Sequence, residues 1–216
     1  MTGDSPNAVQ LNGIADVFTR QLASLGRVRS YPKNTVFITE GDSSDSVFVI
    51  LSGKVKVFIS DAEGHEMILD MQGPGEYVGE MALDGKPRSA SVMTLEPSTF
   101  AVVARDPIRE EIRKNPDFAL DMISKIIDRA RLATSGMKDL ALLDVYGRVA
   151  RLLLNMGVEK NGKLVIPDKL TQQEIAERVG ASRDMVSRIF RDLTAGGYIS
   201  VENRYITINK KPPARW

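Results

Sequence analysis

Leu170-Thr-Gln-Gln-Glu-Ile-Ala-Glu-Arg-Val-Gly-Ala-Ser-Arg-Asp-Met-Val-Ser-Arg188 is the stretch on which the reading of this chain turns. Thr171 and Glu174 make a capping-box pattern, with Thr at the N-cap and Glu three residues on. A helix follows with Ile175, Ala176 and Val179 on its inner face, and Gly180 breaks it. Ser182 can cap a second helix whose inner face is Val186, Ile189, Phe190 and Leu193, ended by Gly196-Gly197. Two short helices joined by a tight, Gly-containing turn predict a helix-turn-helix. The outer face of the second helix then carries Ser182, Arg183, Asp184, Ser187 and Arg188, while Thr171 and Gln172 open the first. These seven residues are the expected DNA-contacting set. Arginine grips guanine O6 and N7 with two hydrogen bonds, and a carboxylate accepts from cytosine N4. The same residues also fit a solvated helix face on which Asp184 and Arg188 form an i,i+4 ion pair; the residues alone leave both readings open. Tyr198 to Val201 and Tyr205 to Ile208, around Glu202-Asn203, read as a hairpin that would flank DNA as a wing.

Upstream, Tyr146 to Met156 is an apolar helix with Val149, Leu152, Leu153 and Met156 on one side. Before it, a long helical stretch runs from Pro116 to about Leu143. Within it Ala119, Ile123, Ile126, Ala130, Ala133, Met137 and Leu140 recur at alternating steps of four and three, a heptad seam. Such a seam must be buried, either on the chain's own sheet or against the same helix of a second copy, and the small Ala130 and Ala133 suit close approach. Farther upstream the period changes to that of strands. Short apolar runs at Val36–Ile38, Val47–Leu51, Val55–Ile59, Met67–Leu69, Ala90–Val92 and Phe100–Val103 alternate with Gly, Pro and Asp turns. They predict an antiparallel sandwich, roll or barrel. Lys54-Val55-Lys56-Val57 alternates as a half-buried strand would. Leu11 to Leu25 reads as a lead-in helix, and Asp106-Pro107 as a helix start with Asp106 at the cap.

Composition narrows the function classes. The chain has 216 residues, 43% hydrophobic and 26% charged, as one large or two modest globular domains would. The absence of cysteine excludes disulfides, cysteine-ligated zinc, iron–sulfur clusters and a thiol nucleophile. A single histidine, His65, excludes a two-histidine metal site; it lies in the turn after Asp61 and reads as a surface residue. No apolar run reaches the roughly 20 residues that span a membrane, and the first residues lack the charged and apolar regions of a secretory signal, so a cytoplasmic protein is expected. Net charge is +1, but residues 1–139 carry 20 Asp/Glu against 16 Lys/Arg and residues 140–216 carry 8 against 13. A basic back half beside an acidic front fits nucleic-acid binding by the back half.

Taken in order, a β-roll, a long helix and a winged helix-turn-helix resemble the Crp–Fnr family of bacterial transcription regulators, over about residues 15–210. Two segments carry the resemblance. One is the helix-turn-helix segment quoted above. The other, Gly79-Glu-Met-Ala-Leu-Asp-Gly-Lys-Pro-Arg-Ser-Ala90, resembles the phosphate-binding cassette of cyclic-nucleotide domains. The resemblance implies an α+β chain: a cyclic-nucleotide-binding antiparallel β-roll at 1–115, a dimerisation helix and hinge at 116–143, and a winged helix-turn-helix at 144–216. It implies a ligand set of Gly79, Glu80, Met81, Ala82, Leu83, Arg88, Ser89 and Ala90. Arg88 would hold the cyclic phosphate with a charged fork. Main-chain N–H groups and the Ser89 hydroxyl would complete the cradle, and Glu80 would accept from the ribose 2′-OH. Thr134 and Ser135 lie where the cyclic-AMP-binding branch contacts adenine from both subunits, so cyclic AMP is the expected effector, with cyclic di-GMP the alternative. The dimer seam would be Ile123, Ile126, Ala130, Ala133, Met137 and Leu140. Metal, haem and cluster cofactors are not expected, and no kinase loop, P-loop or H-x-x-H pattern marks an enzyme. The implied partners are a palindromic double-stranded operator, a second copy of the chain and RNA polymerase. Two competing readings remain: a nucleotide-regulated enzyme subunit, and a ligand-independent DNA-binding dimer with a degenerate pocket.

Overall fold

Val47-Phe48-Val49-Ile50-Leu51 is apolar at every position because its strand is buried on both faces. The structure, a computed structural model, describes residues 4–43, 45–160 and 162–213, and for Ala82 the main chain. It divides into two compact units. One comprises Leu69–Ala130 with the described residues up to Ile59, the other Ser60–Ile68 with those from Arg131 onward.

The first unit opens with helices α1 (Ala8–Asn12) and α2 (Val17–Ser24). Strands β1 (Arg27–Tyr31), β2 (Val36–Ile38), β3 (Ser46–Ser52), β4 (Val55–Ser60), β5 (Glu66–Gln72) and β6 (Tyr77–Val78) follow, the stretch Ser60–Ile68, from the end of β4 into β5, counting with the other unit. After a one-turn 3-10 helix at Glu80–Asp84 come β7 (Ser91–Thr94), β8 (Ser98–Ala104), α3 (Arg105–Lys114) and the long α4 (Pro116–Leu142), which runs past the division between the units. Two four-stranded antiparallel sheets form, ordered β1-β8-β3-β6 and β2-β7-β4-β5. Successive side chains of a strand point to opposite faces. Phe48 and Ile50 therefore join Ile38, Val55, Val78, Val92 and Phe100 between the sheets. Val47, Val49 and Leu51 face the other way, onto Leu22, Ala23, Ile108, Phe118 and Met122 from the helices.

The second unit holds α5 (Val145–Met156), β9 (Val158–Lys160), β10 (Lys163–Val165), α6 (Gln172–Val179), α7 (Arg183–Ala195), β11 (Ile199–Glu202) and β12 (Tyr205–Ile208). Its sheet runs β11-β12-β10-β9. Its core gathers Val149 and Leu153 of α5, Ile175 and Val179 of α6, and Val186, Phe190 and Leu193 of α7, together with Ile199, Ile206 and Ile208 of the wing. All the inner-face residues expected of the two short helices are in it. The mixed α+β architecture is the one expected.

Local differences have physical causes. The expected lead-in helix is two helices, because Gly13 caps the first and Asp16 starts the second by accepting from the Phe18 and Thr19 N–H groups. Helix α3 starts at Arg105 behind Ala104, which leaves Asp106 in the first turn rather than at the cap, where its charge suits the helix dipole. Lys56 is buried at 5% exposure, its ammonium 4.8 Å from the Phe58 ring centroid, so the alternation at Lys54–Val57 does not mark a wet face. The expected seam of α4 is not its buried face: Phe118 and Met122 are buried, while Ile123, Ile126 and Met137 are 50%, 45% and 71% exposed.

Candidate functional site

The cassette is built where β6 ends. Gly79 has φ +86°, and a Cβ there would lie 2.5 Å from Arg88 Nη1, so glycine is required both by backbone conformation and by space. Arg88 is only 6% exposed. Its Nη1 donates to the Gly79 carbonyl at 2.6 Å and its Nη2 to the Ser46 carbonyl at 2.7 Å. The Arg88 N–H donates to Asp42 O and its carbonyl accepts from Gly41 N–H, both at 2.9 Å, which pins the cassette to the loop before β3. Burial pulls the guanidinium below its usual value, opposed by the carboxylates of Glu80, Asp45 and Asp42. Ser89 is exposed and donates to Met81 Sδ; Met81 and Leu83 both lie in the 3-10 turn, and Ala90 is half-buried.

Glu80 meets a residue of the long helix that lies outside the expected seam. Arg129 Nη1 lies 2.8 Å from Glu80 Oε2, Arg129 Nη2 donates to Tyr77 O at 2.5 Å, and the guanidinium sits 4.9 Å from the Tyr77 ring centroid. Burial works against this charge, but Glu80, with Tyr77 and Asp70 behind it, outweighs burial and raises the Arg129 pKa. One turn earlier Lys125 Nζ donates to Asp16 Oδ2 and Thr19 Oγ1, both at 2.5 Å. Phe118, Met122, Lys125 and Arg129 thus share one face of α4 at steps of four, three and four. That spacing was the available signal. Thr134 and Ser135 are exposed on the part of α4 that belongs to the other unit.

In the second unit the expected caps are present. Thr171 and Glu174 make the reciprocal capping box of α6, with the Thr171 N–H donating to Glu174 Oε2 at 2.7 Å and the Glu174 N–H to Thr171 Oγ1 at 3.1 Å. Gly180 ends α6 in the left-handed conformation, φ 60° and ψ 55°. Ser182 caps α7 by accepting from the Met185 N–H. Arg183, Asp184 and Arg188 are exposed, Ser187 and Gln172 half-buried. Among the described residues Asp184 and Arg188 form no ion pair with each other. At the wing tip Asn203 and Arg204 both adopt positive φ, 51° and 68°. His65 is exposed, with Nδ1 2.9 Å from the Asp61 carboxylate.

Comparison with known proteins places these two sites in one family. A model of the cyclic nucleotide-binding domain matches residues 28–115, and a model of the Crp-like helix-turn-helix domain matches residues 147–212. A CRP-like cAMP-activated global transcriptional regulator of Mycobacterium tuberculosis is 32% identical over 184 residues, 83% of this chain and 82% of its own. The chain belongs to the Crp–Fnr family of transcription regulators. Another Crp–Fnr relative, the cAMP-activated global transcriptional regulator CRP of Salmonella typhimurium, is 33% identical over 187 residues, 84% of this chain and 89% of that one. Among solved structures, the c-di-GMP responsive regulator CLP of Xanthomonas campestris shares the fold, with a TM-score of 0.78 at 24% identity over 89% of this chain and 99% of that one. As a Crp–Fnr member the chain is a DNA-binding transcription regulator with a cyclic nucleotide-binding domain, and not an enzyme. Among the described residues no helix is long and apolar enough to cross a membrane.

Proposed function

We propose that the chain is a homodimeric, sequence-specific regulator whose operator affinity is set by cyclic AMP held at Gly79–Ala90. One observation carries the reading. Glu80, the carboxylate of the cassette, is held by Arg129 of α4, the helix that also bears the exposed apolar stripe. The residues present fit a small anionic effector, with a buried cation at Arg88 and a glycine that lets its guanidinium lie against the main chain. Such a ligand supplies an anion and a sugar hydroxyl and no covalent chemistry. Arg88 and the Ser89 hydroxyl would hold the phosphate, together with main-chain N–H groups near Ala82, Leu83 and Ser89. To grip it, the Arg88 fork gives up or shares the Gly79 and Ser46 carbonyls. Glu80 would accept from the sugar and must share or release Arg129, so α4 feels the exchange. Thr134 and Ser135 would add base contacts from the paired helices. A ligand shifts the regulator only by the difference between its contacts in the two states. Ile123, Ile126, Ala130, Ala133, Met137 and Leu140 would form the dimer seam. The two copies of α7 would then read a palindrome through Arg183, Asp184, Ser187 and Arg188, with Thr171, Gln172 and Ser182 at the helix starts. RNA polymerase contact and a cytoplasmic location follow from the family resemblance.

A second reading has its own support. Arg88 and Glu80 are already satisfied internally, by main-chain carbonyls and by Arg129, as a degenerate pocket on a ligand-independent regulator would be. Calorimetric titration with cyclic AMP, cyclic GMP and cyclic di-GMP separates the readings. Saturable binding of cyclic AMP at one site per chain, lost in Arg88→Leu without loss of fold, is expected. Heat from cyclic di-GMP alone replaces the effector, and heat from none of them favours the ligand-independent regulator.

A further inference from the structure

Where α4 ends, Leu143 and Asp144 lead into α5, and this stretch is bridged by side chains of α5. Arg148 Nη1 donates to Leu143 O at 3.0 Å, Nε to Val179 O at 2.8 Å and Nη2 to Gly180 O at 3.4 Å. Leu143 directly follows α4, while Val179 and Gly180 form the end of α6 and the turn into α7. The last carbonyls of a helix lack intrahelical partners and carry its partial negative charge. Two such ends converge on one guanidinium. Its planar fork of five donors in fixed directions can serve three carbonyls at once, which a lysine ammonium on its flexible stem does not reproduce. A second tie runs parallel: Arg151, one turn along α5, pairs with Asp139 in the last turn of α4. Leu140 of α4 also lies near the turn after α6, since a Cβ added at Gly180 would meet its Cδ2 at 3.5 Å.

We propose that Arg148 is a positioning residue that fastens the recognition helix α7 to the end of α4, so that the turn of one helix sets the direction of the other. Nothing in the family match assigns this role. The inference rests on reading α7 as the operator-reading helix. Asp144 caps α5 by accepting from the Gly147 N–H at 2.7 Å, which holds Arg148 at the start of its helix and aimed at both ends. In a dimer this fastening fixes the separation of the two recognition helices, and hence the half-site spacing.

The test uses the full chain with an operator selected from random DNA by the wild-type protein, effector present throughout. Affinity is measured for the palindrome, for the palindrome with one or two base pairs inserted at its centre, and for a single half-site. Arg148→Met keeps the aliphatic stem and removes the fork. It should bind the half-site within about threefold of wild type and the palindrome about tenfold more weakly, because the second half-site is no longer presented at the right distance. The insertion penalty should shrink, and Arg148→Lys should restore only part of it. Equal loss on half-site and palindrome means a merely structural role and overturns the proposal, as does an unchanged insertion penalty. If Arg148→Met does not fold, Arg151→Met cuts the parallel tie from an exposed position: a smaller insertion penalty supports the proposal, and a wild-type penalty overturns it. A wild-type protein that selects no palindrome refutes the reading of α7 itself, whereas a selected palindrome with an unaltered Arg148→Met profile refutes the fastening alone.

Discussion

Asp16 shows how single residues hold the cassette's supporting helix in place. Burial pushes its carboxyl up, but Lys125, the Thr19 hydroxyl and the Thr19 N–H pull it down further, to about 2 from 3.8. A depressed folded-state pKa adds stability above the unfolded value and loses it as pH falls through the folded one. Asp16→Asn keeps an N-cap and removes the charge. It should cost about 1–2 kcal/mol at pH 7, the solvent around a partly exposed side chain having been allowed for. Thermal melts should show this gap constant from pH 7 to about 5 and closing between pH 4 and pH 2; a gap independent of pH would contradict the ion pair. On the operator side, Arg188→Ala should cost about 1–3 kcal/mol at one base pair and relax the preference there. Uniform weakening across sequences would mean a phosphate contact instead. Residue identities reached the candidate site unevenly from sequence. Gly79, Glu80 and Arg88 stand in a local string and were legible. Arg129 was not, since an arginine on a helix face carries no mark of the carboxylate it will meet from a distant loop.

At the scale of elements, periodicity was the reliable signal and short strands were the gaps. Helices α5, α6 and α7 came through because apolar spacing, Thr171, Ser182 and the glycines agree with one another. The strand Arg27–Tyr31 was missed because it pairs only with β8 at a sheet edge and keeps its two arginines in solvent, so it lacks an apolar run. Val158–Lys160 and Lys163–Val165 are likewise exposed or half-exposed, and their hairpin reads as polar linker. The seam of α4 was visible as a heptad, but sequence could not say what covers it. Ile126→Glu should leave helicity unchanged and convert a species of about twice 23.8 kDa to one of 23.8 kDa in sedimentation; a surviving dimer would place the interface elsewhere. In the wing, Arg204 adopts φ 68°, which costs a side chain with a Cβ. Arg204→Gly makes the Asn-Gly turn that two-residue hairpins favour, and should stabilise the second unit by about 0.5–1 kcal/mol in denaturant titration. A loss of stability would mean that the arginine side chain holds the turn.

At the scale of the molecule, α4 is, among the described residues, the helix whose residues fall in both compact units, and it carries different attachments along its length. Lys125 and Arg129 fasten its first part to α2 and to the cassette. Near its end Asp139 pairs with Arg151 of α5, and the Leu143 carbonyl just beyond it accepts from Arg148. Between them lie Thr134 and Ser135, exposed on a stretch of α4 that also bears the apolar stripe. A regulator built this way needs the effector to favour one state of the paired helices by at least about 1.4 kcal/mol for a tenfold effect on DNA binding. The most direct test is the affinity of the purified protein for its selected operator, measured by fluorescence anisotropy with and without saturating cyclic AMP. The account predicts binding at least about tenfold tighter with cyclic AMP, and no such gain in Arg88→Leu. Equal affinity with and without cyclic AMP, cyclic GMP and cyclic di-GMP would contradict it.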